Sequence, residues 1–321
     1  MQIRKLSLGV IAVIATISLA ACSGSGEPTV GGDPSTGAGA GGDSPVIGFS
    51  ISTLQNPFFV SMEDGVKEAG AAAGIEVLIA DAGDDAAQQA NDILNFIAQG
   101  VDVVLLNPTD GDAIVSSVEA LNAADIPVIT VDRRSEGGEV VAHLGTDNVV
   151  AGEVAATTLF DAIDGTGEVA ILEGVPGVSS TIDRGTGFDN VLTDYPDIEI
   201  VATQTANFQR DEGLTVAENI LQANPDLSAF LAMNDEMALG AVEALRSAGK
   251  LDQVAVIGID GGADAVTAVG NGELIATIAQ QSTLMGSLGI EQAIKLAEGG
   301  SIEAEQPVEV IVINESNVDQ Y

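Results

Sequence analysis

From Pro45 onward, short apolar runs alternate with longer amphipathic segments. The runs are VIGFSIS, EVLIADA, VDVVLLN, IPVITVD, VVAHLGTD, GEVAILEGV, IEIVATQTA, LSAFLAMND, VAVIGID, LIATIAQ and VEVIVI. Most are continuously apolar rather than alternating, which predicts parallel strands buried on both faces. Segments between them, such as AAQQANDILNFIAQG and DEGLTVAENILQAN, repeat apolar residues at three and four and predict helices. Strand–helix–strand repetition implies right-handed crossovers and a doubly wound parallel sheet, hence an α/β protein.

Eleven strands are too many for one comfortable open sheet, so two sheets of five or six are expected. An internal echo agrees with that division. LLNPTDGDAIVSSVEALNAADIPVITVD (105–132) and LAMNDEMALGAVEALRSAGKLDQVAVIGID (231–260) each pass from a strand ending in Asn, through a helix containing VEAL, to a strand ending in Asp. They read as equivalent units of two similar lobes.

The segment before Pro45 follows a different pattern. Arg4 and Lys5 precede the apolar stretch LSLGVIAVIATISLAA, which ends in LAAC, Leu19 to Cys22. Residues 1–21 are expected to be a signal peptide. LAAC resembles the lipobox of bacterial lipoproteins, which implies lipidation at Cys22. Residues 22–44 combine that Cys with a Gly/Ser/Pro-rich tether, whose root-mean-square reach is about 25 Å. Cys22 is the only cysteine, so no intramolecular disulfide can form. The formal net charge of −38 argues against nucleic acid or an anionic membrane surface as partner and reads as a solvated acidic surface suited to a saline medium.

Ligands of open parallel sheets bind beyond the carboxyl ends of the strands. Asn56, Phe58 and Phe59 follow the first run, Asn107 ends the third, and Asp132 and Arg133 end the fourth. In the second half, Phe208 and Arg210 follow the IEIVATQTA run, and Asn234, Asp260 and Gln280 end the next three. Amides, carboxylates and guanidinium groups match the donors and acceptors of sugar hydroxyls. Aromatic rings match a sugar's C–H faces. The set predicts a carbohydrate site. Strand-end Asn and Asp also cap helices, and Asp110 and Asp235 are read as caps.

The segments STLQNPFFVSM, LLNPTDGDA, IPVITVDR, DRGTGF, NDEMALGA, IGIDG and IATIAQ, in this order, resemble the ribose-binding members of the bacterial periplasmic binding proteins. The resemblance covers nearly all of the chain from Pro45. It implies two Rossmann-like lobes of the type I class joined by a three-stranded hinge, with crossings near Asp147, Gln280–Gln281 and Pro307–Glu309. The lobes would be 45–147 plus 281–308 and 148–280 plus 309–321. It further implies that Phe58, Phe59 and Phe208 sandwich a pyranose. Asp132 and Arg133, helped by Ser52, Asn56 and Asn107, would bind hydroxyls from the first lobe. Arg184, Asn234, Asp260 and Gln280 would bind from the second. The family has an acidic residue where this chain has Gln209, a position not expected to touch the sugar.

The function implied is that of a monomeric, lipid-anchored, extracytoplasmic protein. It would deliver a monosaccharide, D-ribose first, to an ABC permease, and a chemoreceptor is a further partner. No metal, cofactor or nucleic acid is expected. Allose, another pentose or hexose, or a furanose-like autoinducer are the alternatives within the fold. A galactose-type site would stack the sugar on Trp and carry a calcium loop, and the sequence has no Trp and lacks calcium-loop spacing in DAGDD at 81–85. A sugar-responsive repressor would need a helix-turn-helix where this chain has the leader. An enzyme is not expected. His143 is the sole histidine, SAGKL lacks the following Ser/Thr of a phosphate-binding loop, and no G-x-G-x-x-G follows the first run.

Overall fold

The computed structural model describes residues 44–321; the leader, Cys22 and the tether up to residue 43 lie outside them. The described residues form two six-stranded sheets. The first contains β1 (Val46–Ile51), β2 (Glu76–Asp81), β3 (Val103–Leu106), β4 (Val128–Val131), β5 (Ala142–Thr146) and β11 (Glu305–Val308). The second contains β6 (Thr166–Glu173), β7 (Asp197–Thr205), β8 (Leu227–Ala232), β9 (Ala255–Asp260), β10 (Ala276–Ala279) and β12 (Ile311–Asn314). Their orders, β2-β1-β3-β4-β5-β11 and β7-β6-β8-β9-β10-β12, are the same. All pairings are parallel except β10 with β12.

The helices are α1 (Pro57–Ala73), α2 (Ala86–Gln99), α3 (Val115–Ala123), α4 (Asn148–Ala162), α5 (Ser179–Leu192), α6 (Arg210–Ala223), α7 (Asp235–Ala248), α8 (Ala263–Gly270) and α9 (Ser282–Ala297). The units β3-α3-β4 and β8-α7-β9 occupy equivalent places, which accounts for the echo between 105–132 and 231–260. The central strands are buried on both faces because helices cover both. On the first sheet, Ile47, Phe49, Val103 and Leu105 face one core, and Val104, Leu106 and Val128 face the other. Alternate residues of one apolar run thus fill two separate cores, so the run shows no polar face.

One expected strand divides. VEVIVI reads as a single run, yet Val308 closes β11 in the first sheet and Ile311 opens β12 in the second. The run therefore marks β12, while β11, whose residues Glu305, Gln306 and Pro307 are polar or proline and lie at least partly exposed on an edge, leaves no apolar signature. The chain passes between sheets at two further places. After β5 it enters α4, which packs on α5 and under β9, and after β10 it enters α9, which packs on α1 and β3. Gly65 on α1 and Gly286 on α9 let those two backbones touch, because a Cβ at either would overlap the opposing main chain. That contact holds the N-terminal turn of α1 against the sheet end.

Candidate ligand-binding site

The two sheets point their carboxyl ends at one cleft. Asn56 is the N-cap of α1: its side-chain oxygen accepts from the Phe58 N–H at 2.9 Å, with Pro57 at the first helical position. This Asn-Pro start places two adjacent phenylalanines on the first turn. Both are buried in the core of the first sheet and both line the cleft. Their rings stand 81° apart with centroids 5.2 Å apart. The two rings are therefore nearly perpendicular and present different surfaces to the cleft. The Arg133 guanidinium lies over the Phe59 ring, 5.0 Å from its centroid.

From the second sheet, Phe208 faces the same space. Both Phe208 (φ 61°) and Asp132 (φ 62°) adopt the left-handed backbone region that non-glycine residues avoid. Such strained backbone persists where the surroundings over-determine it, and here it turns one wall and one charge of the same cavity inward. Gly174 makes room for Phe208, since a Cβ there would overlap the aromatic ring. The Asn234 amide donates to the Phe208 carbonyl at 3.2 Å.

The first sheet thus brings Asn56, Phe58, Phe59, Asp132 and Arg133 to one cavity, and the second brings Arg184, Phe208, Asn234, Asp260 and Gln280. Ser180, on α5, lines the same cavity and was not among the expected residues. Ser52 and Asn107 are fully buried behind the cavity and are absent from its lining. The Asn107 oxygen accepts from the Ser52 N–H, and its amide donates to Val131 O and Asp132 Oδ2, each at 3.1 Å. Asn107 therefore aims Asp132. Arg210, read at a strand end, turns away and pairs with Glu236 and Asp264.

Asp235 requires a correction. Asn234, not Asp235, caps α7, accepting from the Met237 N–H at 3.0 Å. Asp235 follows the cap, is buried, and accepts from Thr277 Oγ1 at 2.7 Å and the Gly262 N–H at 2.8 Å. Burial pushes its carboxyl up to about 6. Asp110 does not cap α3 either: that position is Ile114, which has no side-chain cap bond, and Asp110 instead accepts from the Ala113 N–H at 2.7 Å in the preceding turn.

Two carboxylates and two guanidiniums meet in the cavity. Burial pushes Asp132 up, while Arg133, Arg184 and the Asn107 amide pull it down. Burial and then the neighbouring Asp235 push Asp260 well up, against Arg184 and the Gln280 amide, which donates to Asp260 Oδ1 at 2.7 Å. Both arginines are pushed down by burial, and each feels aspartates from both sheets. Charges of both signs thus stand close together in the cavity. Arg184 is fixed from behind by Asn148 Oδ1 at 2.8 Å and by the Met233 carbonyl. Two groups remain unused: Arg133 Nε and Gln280 Oε1 are buried without a hydrogen-bond partner among the described residues. One is a donor and one an acceptor, from opposite sheets. Buried polar atoms are rarely left so unless something else satisfies them. The cavity is small, with about 20 Å³ open to the centre of a water molecule.

Residues 47–301 match the family model described as periplasmic binding protein domain. The chain belongs to the periplasmic binding protein family. The ribose import binding protein of Bacillus subtilis is 43% identical over 299 residues, covering 93% of this chain and 95% of that protein. The ribose import binding protein of Escherichia coli is 39% identical over 267 residues, covering 83% and 90%. Among solved structures, an ABC transporter periplasmic solute binding protein from Actinobacillus succinogenes with bound D-allose superposes with a TM-score of 0.83 at 34% identity, covering 86% of this chain and 100% of that one. A Caulobacter myo-inositol binding protein, solved with myo-inositol, gives 0.83 at 33% identity, covering 87% and 96%. The two-lobed α/β architecture is that of the type I periplasmic binding proteins, and the chain is a binding protein, not an enzyme.

His143 has a structural setting in this periplasmic binding protein. It is buried in β5, with Thr130 Oγ1 2.9 Å from Nδ1. Burial, reinforced by Arg134 and opposed by Glu305, lowers its pKa to about 4. The folded chain thus holds the ring neutral while the unfolded chain takes up a proton at an ordinary pH. Its contribution to stability is complete above about 6.5 and is lost as the pH falls toward about 4. As the only imidazole in the chain, it gives a single Cε1–H and a single Cδ2–H signal to follow by NMR. The expected midpoint is about 4; an ordinary midpoint would show a solvent-open ring.

Proposed function

We propose that the chain is the extracytoplasmic binding component of an ABC sugar transporter and takes up one uncharged monosaccharide, D-ribose first, between its lobes. The observation that carries this reading is a cavity bounded by Phe59 and Phe208 and lined by Asn56, Asp132 and Arg133 from one sheet and by Arg184, Asn234, Asp260 and Gln280 from the other. Sugar hydroxyls both donate and accept, and the C–H faces of the ring pack on aromatics. The carboxylates of Asp132 and Asp260 on the cavity wall would repel the phosphate of a sugar phosphate or the carboxylate of a uronic acid. Identity of 43% to a ribose import binding protein supports ribose within this class. Because neighbours of similar fold hold D-allose and myo-inositol, a hexose or cyclitol is the second reading.

The lobes are proposed to meet at Asp147, Gln280–Gln281 and Pro307–Glu309, and the sugar to favour the closed form because each lobe supplies half of its contacts. Titration calorimetry with D-ribose, D-allose, myo-inositol, D-glucose and ribose 5-phosphate, with scattering before and after saturation, tests the proposal. Ribose is expected to bind most tightly, the phosphate not at all, and the bound form to be more compact. Tighter binding of allose or inositol would replace ribose by the second reading. No binding of any neutral sugar, or an unchanged shape on binding, would reject the mechanism.

Anchoring through Cys22 is proposed from LAAC and the Gly-rich tether. Mass spectrometry of the membrane fraction is expected to find a lipid-modified N-terminal Cys22, and Cys22→Ala to abolish it. An unmodified mature N-terminus would remove this part.

A further inference from the structure

Three successive hydroxyl residues open α5, and they have three different settings. Ser179 Oγ accepts from the Arg134 N–H at 3.4 Å, across to the other sheet's loop. Thr181 Oγ1 is buried without a partner among the described residues. Ser180, only 4% exposed, sits on the cavity wall, and its hydroxyl makes no hydrogen bond to the protein among the described residues. Ser180 lies one helical turn before Arg184, and residues spaced by four share a helix face. Arg184 also lines the cavity. The helix that carries both is held firmly. Gly152 on α4 and Gly187 on α5 bring the two helices into backbone contact, and a Cβ at either would overlap the opposing main chain. Arg184 is tied to Asn148 and Met233 as described. The Ser180 backbone is therefore held in place, and its hydroxyl is limited to the staggered positions about its own Cα–Cβ bond.

We infer that Ser180 is a specificity-determining residue of the binding site: its hydroxyl bonds one ligand hydroxyl facing α5 and distinguishes sugars that carry that hydroxyl from those that lack it. The inference rests on the proposed function and extends it to a residue that strand-end reasoning does not reach. Serine suits the task because one oxygen both donates and accepts, so it can complement whichever role Arg184 and Asp260 leave to the hydroxyl between them. A site built to bond a hydroxyl also rejects an analogue without it, because its own polar group is then left unpaired in a dry cavity.

The experiment is a double-mutant cycle between protein and ligand. Wild type and Ser180→Ala are titrated by calorimetry against the best-binding neutral monosaccharide and each of its monodeoxy analogues. Ser180→Ala is expected to weaken the parent sugar about three- to tenfold, the range of one neutral hydrogen bond. One deoxy analogue is expected to bind wild type about that much more weakly than the parent and to lose nothing further in Ser180→Ala. The remaining analogues should lose affinity in both proteins additively. Thermal unfolding without sugar should be the same for both, which separates a ligand contact from a structural role. If wild type binds no neutral monosaccharide, the proposed function fails and this inference fails with it. If wild type binds and Ser180→Ala matches it for every analogue, the inference alone is overturned. Equal weakening toward every analogue with no coupled partner, or a lowered melting temperature without sugar, also overturns it, since either outcome assigns Ser180 to packing.

Discussion

Asp132→Ala is expected to weaken sugar binding by at least about tenfold, and nearer a hundredfold if Arg133 keeps its charge in the dry cleft. Asp132 is 5% exposed, 3.8 Å from Arg133 Nε, and held by the Asn107 amide at 3.1 Å. A charge-assisted hydrogen bond contributes roughly 1.5–3 kcal/mol, and each 1.4 kcal/mol is about tenfold. Loss of the carboxylate also strands a buried guanidinium, which raises the cost. Asp132→Asn keeps the shape and tolerates the left-handed backbone, so it isolates the charge and should fall between wild type and alanine. Asp110→Ala removes only one hydrogen bond in the turn before α3 and should cost about 1 kcal/mol of stability with affinity unchanged. Calorimetry on the folded variants decides. Wild-type affinity in Asp132→Ala, or equal damage from Asp110→Ala, would show that the strand-end residues are caps and not contacts.

Gly174→Ala should cost about thirtyfold in affinity without touching the sugar. The added methyl group overlaps the Phe208 ring and forces it off the cavity wall. Phe208 is only partly buried, so it can swing outward, and the melting temperature without sugar should change little. Loss of one aromatic wall corresponds to about 2 kcal/mol of apolar burial, which is the stated factor. Phe208→Ala should lose about as much, and Gly174→Ala on that background almost nothing more. Independent, additive losses in the two variants would mean that Gly174 acts on something other than Phe208.

Much of this molecule is legible in the sequence because parallel strands buried on both faces leave an unbroken apolar signature. Ten of the eleven runs correspond to single strands, and the last marks β12 while touching β11 only at Val308, because the Glu-Gln-Pro of that edge strand carries no apolar signal. Strand ends were equally informative about Asn56, Asp132, Asp260 and Gln280, since topology directs whatever follows such a strand into the cleft. The same rule misplaced emphasis on Arg210, which ion pairs draw to Glu236 and Asp264, and on Asp235, whose neighbour Asn234 took the cap. It could not distinguish Asn107, which aims another residue, from a side chain on the wall. It also missed Ser180, which stands on a helix. The spacing of four between Ser180 and Arg184 in SSTIDR was the available signal. The mutual angle of Phe58 and Phe59 has no counterpart in sequence at all.

The division of the final apolar run has a consequence for how the chain is made. β11 pairs with β5 across more than 150 residues of intervening sequence, and β12 closes the edge beside β10. A ribosome that has synthesised everything before Glu305 has therefore completed neither sheet, and the exposed edges of β5 and β10 still offer unpaired backbone to other chains. Contacts this distant along the chain form late and slowly. Residues 305–314 thus supply one edge strand to each lobe, so each sheet lacks its sixth strand until that segment is made.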